Sequence, residues 1–168
     1  DTQMSMFSLE AMNVVSASRP GEASEDMIAP LVEASRRAYL RWGDTQGARV
    51  PKPYDDGPSA RLITSFAMRQ RRAPGNTCLA AVSSGANGTT QQPINDSKGC
   101  GAVMRTAPLG LQDSRDPWVQ MQLGCQTGAL THGHVDGWLP AGMMAALVRY
   151  LMAGETLEHG VEHVLPLS

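Results

Sequence analysis

Apolar residues recur at helical spacing along most of the chain, and this periodicity is the main structural signal in the sequence. The first such stripe lies between Gln3 and Ser18 and consists of Met4, Phe7, Ala11, Val14 and Val15. Steps of three and four place these side chains on one face of an α-helix. The segment therefore predicts an amphipathic helix, with Asp1 and Thr2 as candidate N-caps.

The same reasoning predicts helices along the rest of the chain. They are expected near residues 24–42 and 59–70, from an N-cap at Asn76 or Thr77 through Val82, after Gly101, and near 118–128, 136–153 and 155–164. Polar loops are expected at 43–58 and 85–99, and a loop as long as the second is usually functional or disordered. Because long runs of alternating β-branched residues are absent, the pattern predicts an all-α fold.

Composition narrows the class of protein without naming a function. The 168 residues are 42% hydrophobic, enough for one domain with a core. Only 18% are charged and the net charge is −2, which argues against binding to nucleic acid or to an acidic membrane. The longest apolar stretch, from Leu139 to Met152, contains Arg149 and is too short to span a bilayer.

The three cysteines, Cys78, Cys100 and Cys125, form no C-x-x-C pair. This pattern argues against a disulfide framework or a zinc site and favours a reducing cytoplasm. No signal peptide is visible. Because the chain begins at Asp1 rather than Met, inside the predicted start of an amphipathic helix, we expect it to be truncated.

The loop at 95–101 is the strongest candidate for binding chemistry. Its glycines let a ligand approach the backbone, and the helix that follows would offer free N–H groups to a diphosphate. Lys98 and Arg105 would add positive charge. The alternative is an ordinary surface turn with a helix cap. Cys100, near Lys98, could carry a reactive thiol, but a cysteine hydrolase also needs a base that the sequence does not identify.

The His-x-His pair of His132 and His134 lies between two predicted helices. It could bind metal, contact a ligand or serve as a linking turn, and no further metal ligand lies nearby in sequence. His159 and His163 fall on the terminal helix and are predicted to face solvent. Asp1 and Thr2 offer oxygen atoms that Mg²⁺ accepts, but two ligands do not make a site for an ion that prefers six.

Four segments in this order resemble the ADP-ribosylglycohydrolase family, which includes the bacterial dinitrogenase-reductase-activating glycohydrolases. They are Asp-Thr-Gln-Met at 1–4, Arg-Arg-Ala-Pro-Gly-Asn-Thr-Cys at 71–78, Asn-Asp-Ser-Lys-Gly-Cys-Gly-Ala-Val-Met-Arg at 95–105 with Ala-Pro at 107–108, and Thr-His-Gly-His at 131–134. The third segment is long and specific. The resemblance covers nearly the whole chain and implies that residues 1–168 are the central part of one compact orthogonal helical bundle, incomplete at both ends.

The resemblance also implies an activity. Members hydrolyse the glycosidic bond between ADP-ribose and a protein side chain or small-molecule acceptor, using two divalent ions, usually Mg²⁺. Asp1 matches the last acidic residue of the family's metal motif, so it is the implied catalytic residue and metal ligand; Thr2 matches the motif's final threonine and is the second implied ligand. The ions would act as template and charge stabiliser.

The implied substrate-binding residues come from the third and fourth segments. Ser97, Gly99, Cys100 and Gly101 match the loop that wraps the diphosphate and ribose, where other branches often have Asn at the Cys100 position, and His132 matches a histidine near the distal ribose. Arg105 is expected to brace this loop. The implied partners are ADP-ribosylated proteins or ADP-ribosyl small molecules, with no nucleic acid or membrane.

The chain departs from the family pattern at its metal site. The opening acidic helix, the first residues of the metal motif and a closing Asp-x-Asp-Thr segment have no counterpart in the sequence. We therefore expect an incomplete metal centre and no activity of this chain alone. A non-catalytic ADP-ribose-binding module and a crystallin-like structural protein remain alternatives. The linkage cleaved and the oligomeric state have no readable motif.

Overall fold

A computed structural model describes residues 2–19, 25–52, 57, 60–112 and 116–167. This part of the chain contains α-helices and 3₁₀ turns but no β-strand, which confirms the all-α prediction. The helices are α1 (Thr2–Ser18), α2 (Ile28–Thr45), α3 (Asn76–Ser83), α4 (Val103–Thr106), α5 (Pro117–Ala129), α6 (Val135–Met152) and α7 (Leu157–Val164). None of these described helices is both long and apolar enough to cross a membrane.

Helices α1 and α2 pack against each other and form much of the main core. The predicted stripe of α1 is buried at Met4, Phe7, Ala11 and Val15, and half-buried at Val14. Helix α2 continues past its predicted end at Trp42 to Thr45. Pro30 is the third residue of α2, where it interrupts no hydrogen bond within the helix because the first-turn N–H groups have no partner there.

A buried ion pair connects α1 to α2 inside this core. Arg41 donates from Nη2 to Glu10 Oε2 over 2.8 Å, and both side chains are nearly inaccessible to solvent. The other carboxylate oxygen of Glu10 accepts a hydrogen bond from the backbone N–H of Leu62 over 2.8 Å. One carboxylate therefore fixes the relative positions of three segments.

The prediction of one continuous α-helix over residues 59–70 is wrong. Within its described part the chain forms two 3₁₀ turns, Leu62–Thr64 and Phe66–Arg69, separated at Ser65 by an extended backbone (φ −72°, ψ 127°). Phe66, one of the apolar residues of this segment, is 79% exposed. The reason lies in distant side chains: Gln3 Nε2 donates to the carbonyls of Ala67, Met68 and Gln70 and so replaces helical bonding.

Helices α5 and α6 pack closely because small residues meet at their crossing. A Cβ on Gly124 would lie 2.6 Å from the carbonyl oxygen of Ala141 and 2.7 Å from the Cα of Gly142. No real side chain fits at such distances. The contact fixes the middle of α6 against α5.

The long loop between α3 and α4 is present as predicted. No helix forms between Ser84 and Ala102, and the loop crosses to the turn that joins α5 to α6. Helix α3 begins at Asn76 with Gly75 as its N-cap, so the predicted caps Asn76 and Thr77 lie in its first turn instead. This arrangement brings the third and fourth sequence motifs together.

Candidate functional site

The loop at 95–101 lies against the imidazole ring of His132. A Cβ on Gly99 would lie 3.4 Å from His132 Nε2, and one on Gly101 would lie 3.2 Å from Cε1 and 3.3 Å from Nε2 of the same ring. The contacts at Gly101 would be tighter than about nine in ten real Cβ contacts, so the absence of a side chain there eases the approach of the ring. The structure thus brings the predicted residues Gly99, Gly101 and His132 together.

Ser97 and Cys100 complete the predicted loop. Ser97 Oγ accepts a hydrogen bond from the backbone N–H of Gly99 over 3.3 Å and lies 3.2 Å from Thr77 Oγ1, which connects the loop to α3. Cys100 is exposed, and no described residue forms a hydrogen bond with its thiol. The described geometry therefore supplies no hydrogen-bonded base for a cysteine nucleophile.

Asn95 holds the loop to the turn that carries His132. Its side-chain Nδ2 donates to the carbonyl of Thr131 over 2.8 Å. Its Oδ1 accepts from the backbone N–H of Ser97 over 3.0 Å and from that of Gly133 over 2.9 Å. No role was predicted for Asn95, although an Asn two residues before Ser97 is a signal for an Asx turn.

Arg105 lies beneath the loop, away from solvent. Its guanidinium is fully buried and donates to Thr131 Oγ1 over 2.6 Å and to the carbonyl of Gly101 over 3.4 Å. The group also stacks over the ring of Tyr39, 4.5 Å from its centroid. Arg105 therefore braces the loop, and its charge does not face the surface where a ligand would bind.

The helix that follows the loop is a single turn. Helix α4 has only four residues, and the 3₁₀ turn Ala107–Leu111 follows it directly. A single turn has little macrodipole, so the expected contribution of a helix N-terminus to anion binding is small. Lys98 remains on the surface, with its Nζ 3.4 Å from Asp136 Oδ2.

His132 is a neutral, buried histidine. Only 1% of its surface is exposed, and its Nδ1 lies 2.8 Å from Thr131 Oγ1. Burial, and then the nearby charge of Arg105, lower the pKa of His132 from 6.5 to about 4. Near neutral pH the ring therefore carries one proton, and it can donate one hydrogen bond and accept another.

This lowered pKa predicts that acid destabilises the protein through His132. Between pH 6.5 and about 4 the unfolded chain binds a proton that the folded chain does not. The free energy of unfolding should therefore fall by about 1–3 kcal/mol as pH decreases through this window, and be independent of His132 above it. Urea unfolding of the wild type and of His132→Gln at several pH values measures the difference. His159→Gln, at an exposed position, should retain the wild-type dependence of the free energy of unfolding on pH. If His132→Gln also retained it, the prediction would be contradicted.

His134 has a structural role in the turn. It is the N-cap of α6, and its Nδ1 accepts a hydrogen bond from the backbone N–H of Asp136 over 3.0 Å. This arrangement agrees with a helix-linking turn. His159 and His163 are exposed, as predicted, and the ring of His163 stacks on Tyr150.

The predicted metal ligands are only partly within the described chain. Asp1 lies outside the described residues, while Thr2 is exposed as the first residue of α1. The first turn of α1 packs on α4, where Ser5 Oγ donates to the carbonyl of Met104 over 3.1 Å. Across the residues that the structure describes, no group of three His, Cys, Asp or Glu side chains could hold a metal ion. These residues alone do not fit a metal centre.

Comparison with known proteins agrees with the motifs that meet at this loop. A family model described as ADP-ribosylglycohydrolase matches residues 1–167. No curated protein and no solved structure matches the chain. Because the family model spans nearly every residue, including the loop at 95–101 and the turn at 131–134, the chain belongs to the ADP-ribosylglycohydrolase family.

Proposed function

We propose that this chain binds ADP-ribosyl groups through the loop at 95–101 and His132, and that its reaction is hydrolysis of the glycosidic bond to a protein side chain or small-molecule acceptor. Membership of the family supports a glycohydrolase-type function. The observation that carries the binding proposal is the contact of Gly99 and Gly101 with His132, because it joins two separated motifs at one surface.

The loop has the properties that a phosphate- and ribose-binding segment requires. Gly99 and Cys100 are exposed and Ser97 is half-buried, so a ligand can approach the backbone there. The loop is held from below by Asn95 and Arg105, and its form is therefore fixed before a ligand binds. A fixed loop loses less conformational entropy on binding, which strengthens affinity.

The role of metal is part of the proposal. The family is one of metal-dependent hydrolases. We propose Mg²⁺ as the ion and Asp1 and Thr2 as its ligands in this chain, with Asp1 as the catalytic residue. When bound, such an ion orients the ribose and stabilises developing charge. The described residues do not form that site by themselves, so no catalytic step is assigned to them.

Titration calorimetry with ADP-ribose tests the binding proposal. We expect saturable binding by the wild type. Gly99→Trp should bind at least tenfold more weakly, a loss of about 1.4 kcal/mol or more in binding free energy, because the indole would fill the space in front of His132. Ser97→Ala and His132→Ala should each weaken binding as well. His159→Ala, on the distant α7, is the matched control and should bind as the wild type does. Binding that survives all three loop-site changes would contradict the proposal.

Hydrolysis is tested separately, with ADP-ribosyl-arginine, ADP-ribosyl-serine and a free ADP-ribosyl metabolite in the presence of Mg²⁺ or EDTA. Turnover that requires Mg²⁺ would support the proposed reaction. Binding without turnover would agree with the expectation that this chain of 168 residues is inactive alone and would point to a binding module. If the chain shows no binding and no turnover, a structural protein would be favoured.

A further inference from the structure

A chain of hydrogen bonds leads from Arg105 to the imidazole of His132. Arg105 Nη2 donates to Thr131 Oγ1 over 2.6 Å, and Thr131 Oγ1 lies 2.8 Å from His132 Nδ1. All three side chains are buried, so water does not compete for these bonds. Short bonds in a region of low dielectric constant impose strong preferences on where each proton lies.

The protons of this chain can be assigned from its donors and acceptors. A guanidinium group only donates, so Thr131 Oγ1 must accept from Arg105. The threonine hydroxyl also has one proton to donate, and among the described residues His132 Nδ1 is its acceptor. If Nδ1 carried the ring proton instead, the two lone pairs of the threonine oxygen could accept from both groups, but the hydroxyl proton would have no acceptor among the described residues. The favoured arrangement leaves Nδ1 unprotonated.

The ring proton then lies on Nε2, at the edge of the imidazole that faces the loop. Nε2 lies 3.4 Å from where a Cβ of Gly99 would be and 3.3 Å from the corresponding position at Gly101. No residue in the described part of the chain forms a hydrogen bond with Nε2. An imidazole N–H with no protein acceptor, next to the exposed Gly99, is a donor suited to an oxygen of a bound ligand.

We infer that Thr131 and Arg105 are positioning residues that hold His132 as the Nε2–H tautomer, which donates a hydrogen bond to a ribose or phosphate oxygen at Gly99. The identity of the ligand rests on the proposed function, but the tautomer does not. His132 in this arrangement presents a hydrogen-bond donor to the ligand. The side of the ligand that faces His132 must therefore offer an acceptor, such as a hydroxyl or phosphate oxygen.

The tautomer can be measured directly in the ligand-free protein by nitrogen-15 NMR of the histidine rings near neutral pH. The wild type should show His132 with a protonated Nε2 and an unprotonated Nδ1. Thr131→Val, which has the same shape but no hydroxyl, should lose this preference, and Thr131→Ser, which retains the hydroxyl, should restore it. A protonated Nδ1 in the wild type would overturn the inference, as would an unchanged tautomer in Thr131→Val.

Affinity for ADP-ribose gives the functional measurement. Thr131→Val should bind about tenfold more weakly than the wild type, and Thr131→Ser within about threefold of it, as expected for one correctly oriented hydrogen bond. Equal affinities of the two variants would contradict the role assigned to the tautomer. If wild-type protein with the Nε2–H tautomer fails to bind ADP-ribose, the proposed function fails while the tautomer assignment stands.

Discussion

Replacing Asn95 with alanine is expected to reduce affinity for ADP-ribose at least tenfold and to lower the free energy of unfolding by about 2–3 kcal/mol. The substitution removes two hydrogen bonds that join the loop to the turn before α6 and one within the loop, from the N–H of Ser97. The carbonyl of Thr131 and the N–H of Gly133 lose their partner, and the loop is no longer fixed against His132. Calorimetric titration and urea unfolding measure the two effects.

Two further variants separate this role from a general effect of mutating the loop. Asn87→Ala changes an exposed asparagine elsewhere in the long connection between α3 and α4, outside the loop at 95–101. It should leave both affinity and stability close to those of the wild type. Asn95→Asp keeps the acceptor for Ser97 and Gly133 but places a carboxylate against the carbonyl of Thr131. The affinity and stability of Asn95→Asp should lie between those of the wild type and those of Asn95→Ala. Wild-type affinity in Asn95→Ala would show that the loop does not depend on this side chain.

Much of the helical architecture could be predicted from local sequence. The stripe in α1 and the polar loop before α4 are patterns within short stretches of chain, and the structure contains both. The segment at 62–69 could not be predicted in this way. Its backbone forms hydrogen bonds with the side chains of Gln3, Glu10 and Gln46. In each of these bonds the two residues are more than 20 positions apart in the sequence. Local periodicity carries no information about such partners.

In the candidate site, too, some features could be predicted from the sequence and others could not. Its residues were identified by resemblance to family motifs, and the contact between Gly101 and His132 agrees with that grouping. The supporting contacts were not predictable, because Asn95 and Thr131 are 36 positions apart and no pattern in either segment indicates the pair. Arg105 was expected to brace the loop, but its connection to His132 through Thr131 depends on side-chain geometry. Asp1, the predicted metal ligand, lies outside the described residues.

Arg105 also connects the candidate site to the core of the protein. Its guanidinium lies over the ring of Tyr39, and the hydroxyl of Tyr39 is 2.7 Å from Ser8 Oγ on α1. The loop is therefore supported by the same α1–α2 packing that contains the Glu10–Arg41 ion pair. Changes that loosen α1 from α2 should consequently disturb the position of Arg105 and, through it, the loop.

The second large effect is expected from Glu10→Ala, which should lower the free energy of unfolding by about 3–5 kcal/mol. The change removes the Glu10 carboxylate from the buried guanidinium of Arg41 and leaves the N–H of Leu62 without this acceptor. Removing one member of a buried pair is costly because the remaining charge cannot return to water. Urea unfolding monitored by tryptophan fluorescence measures the loss, since Trp42 is buried in the same core.

Glu33→Ala is the matched control, because Glu33 pairs with Arg36 and Arg37 on the partly exposed face of α2. A surface pair contributes little in water, and its loss should lower the free energy of unfolding by less than about 1 kcal/mol. Glu10→Gln, which keeps an oxygen for Leu62 but removes the charge, should be intermediate between Glu10→Ala and the wild type. Equal effects of Glu10→Ala and Glu33→Ala would mean that burial does not determine the contribution of these carboxylates.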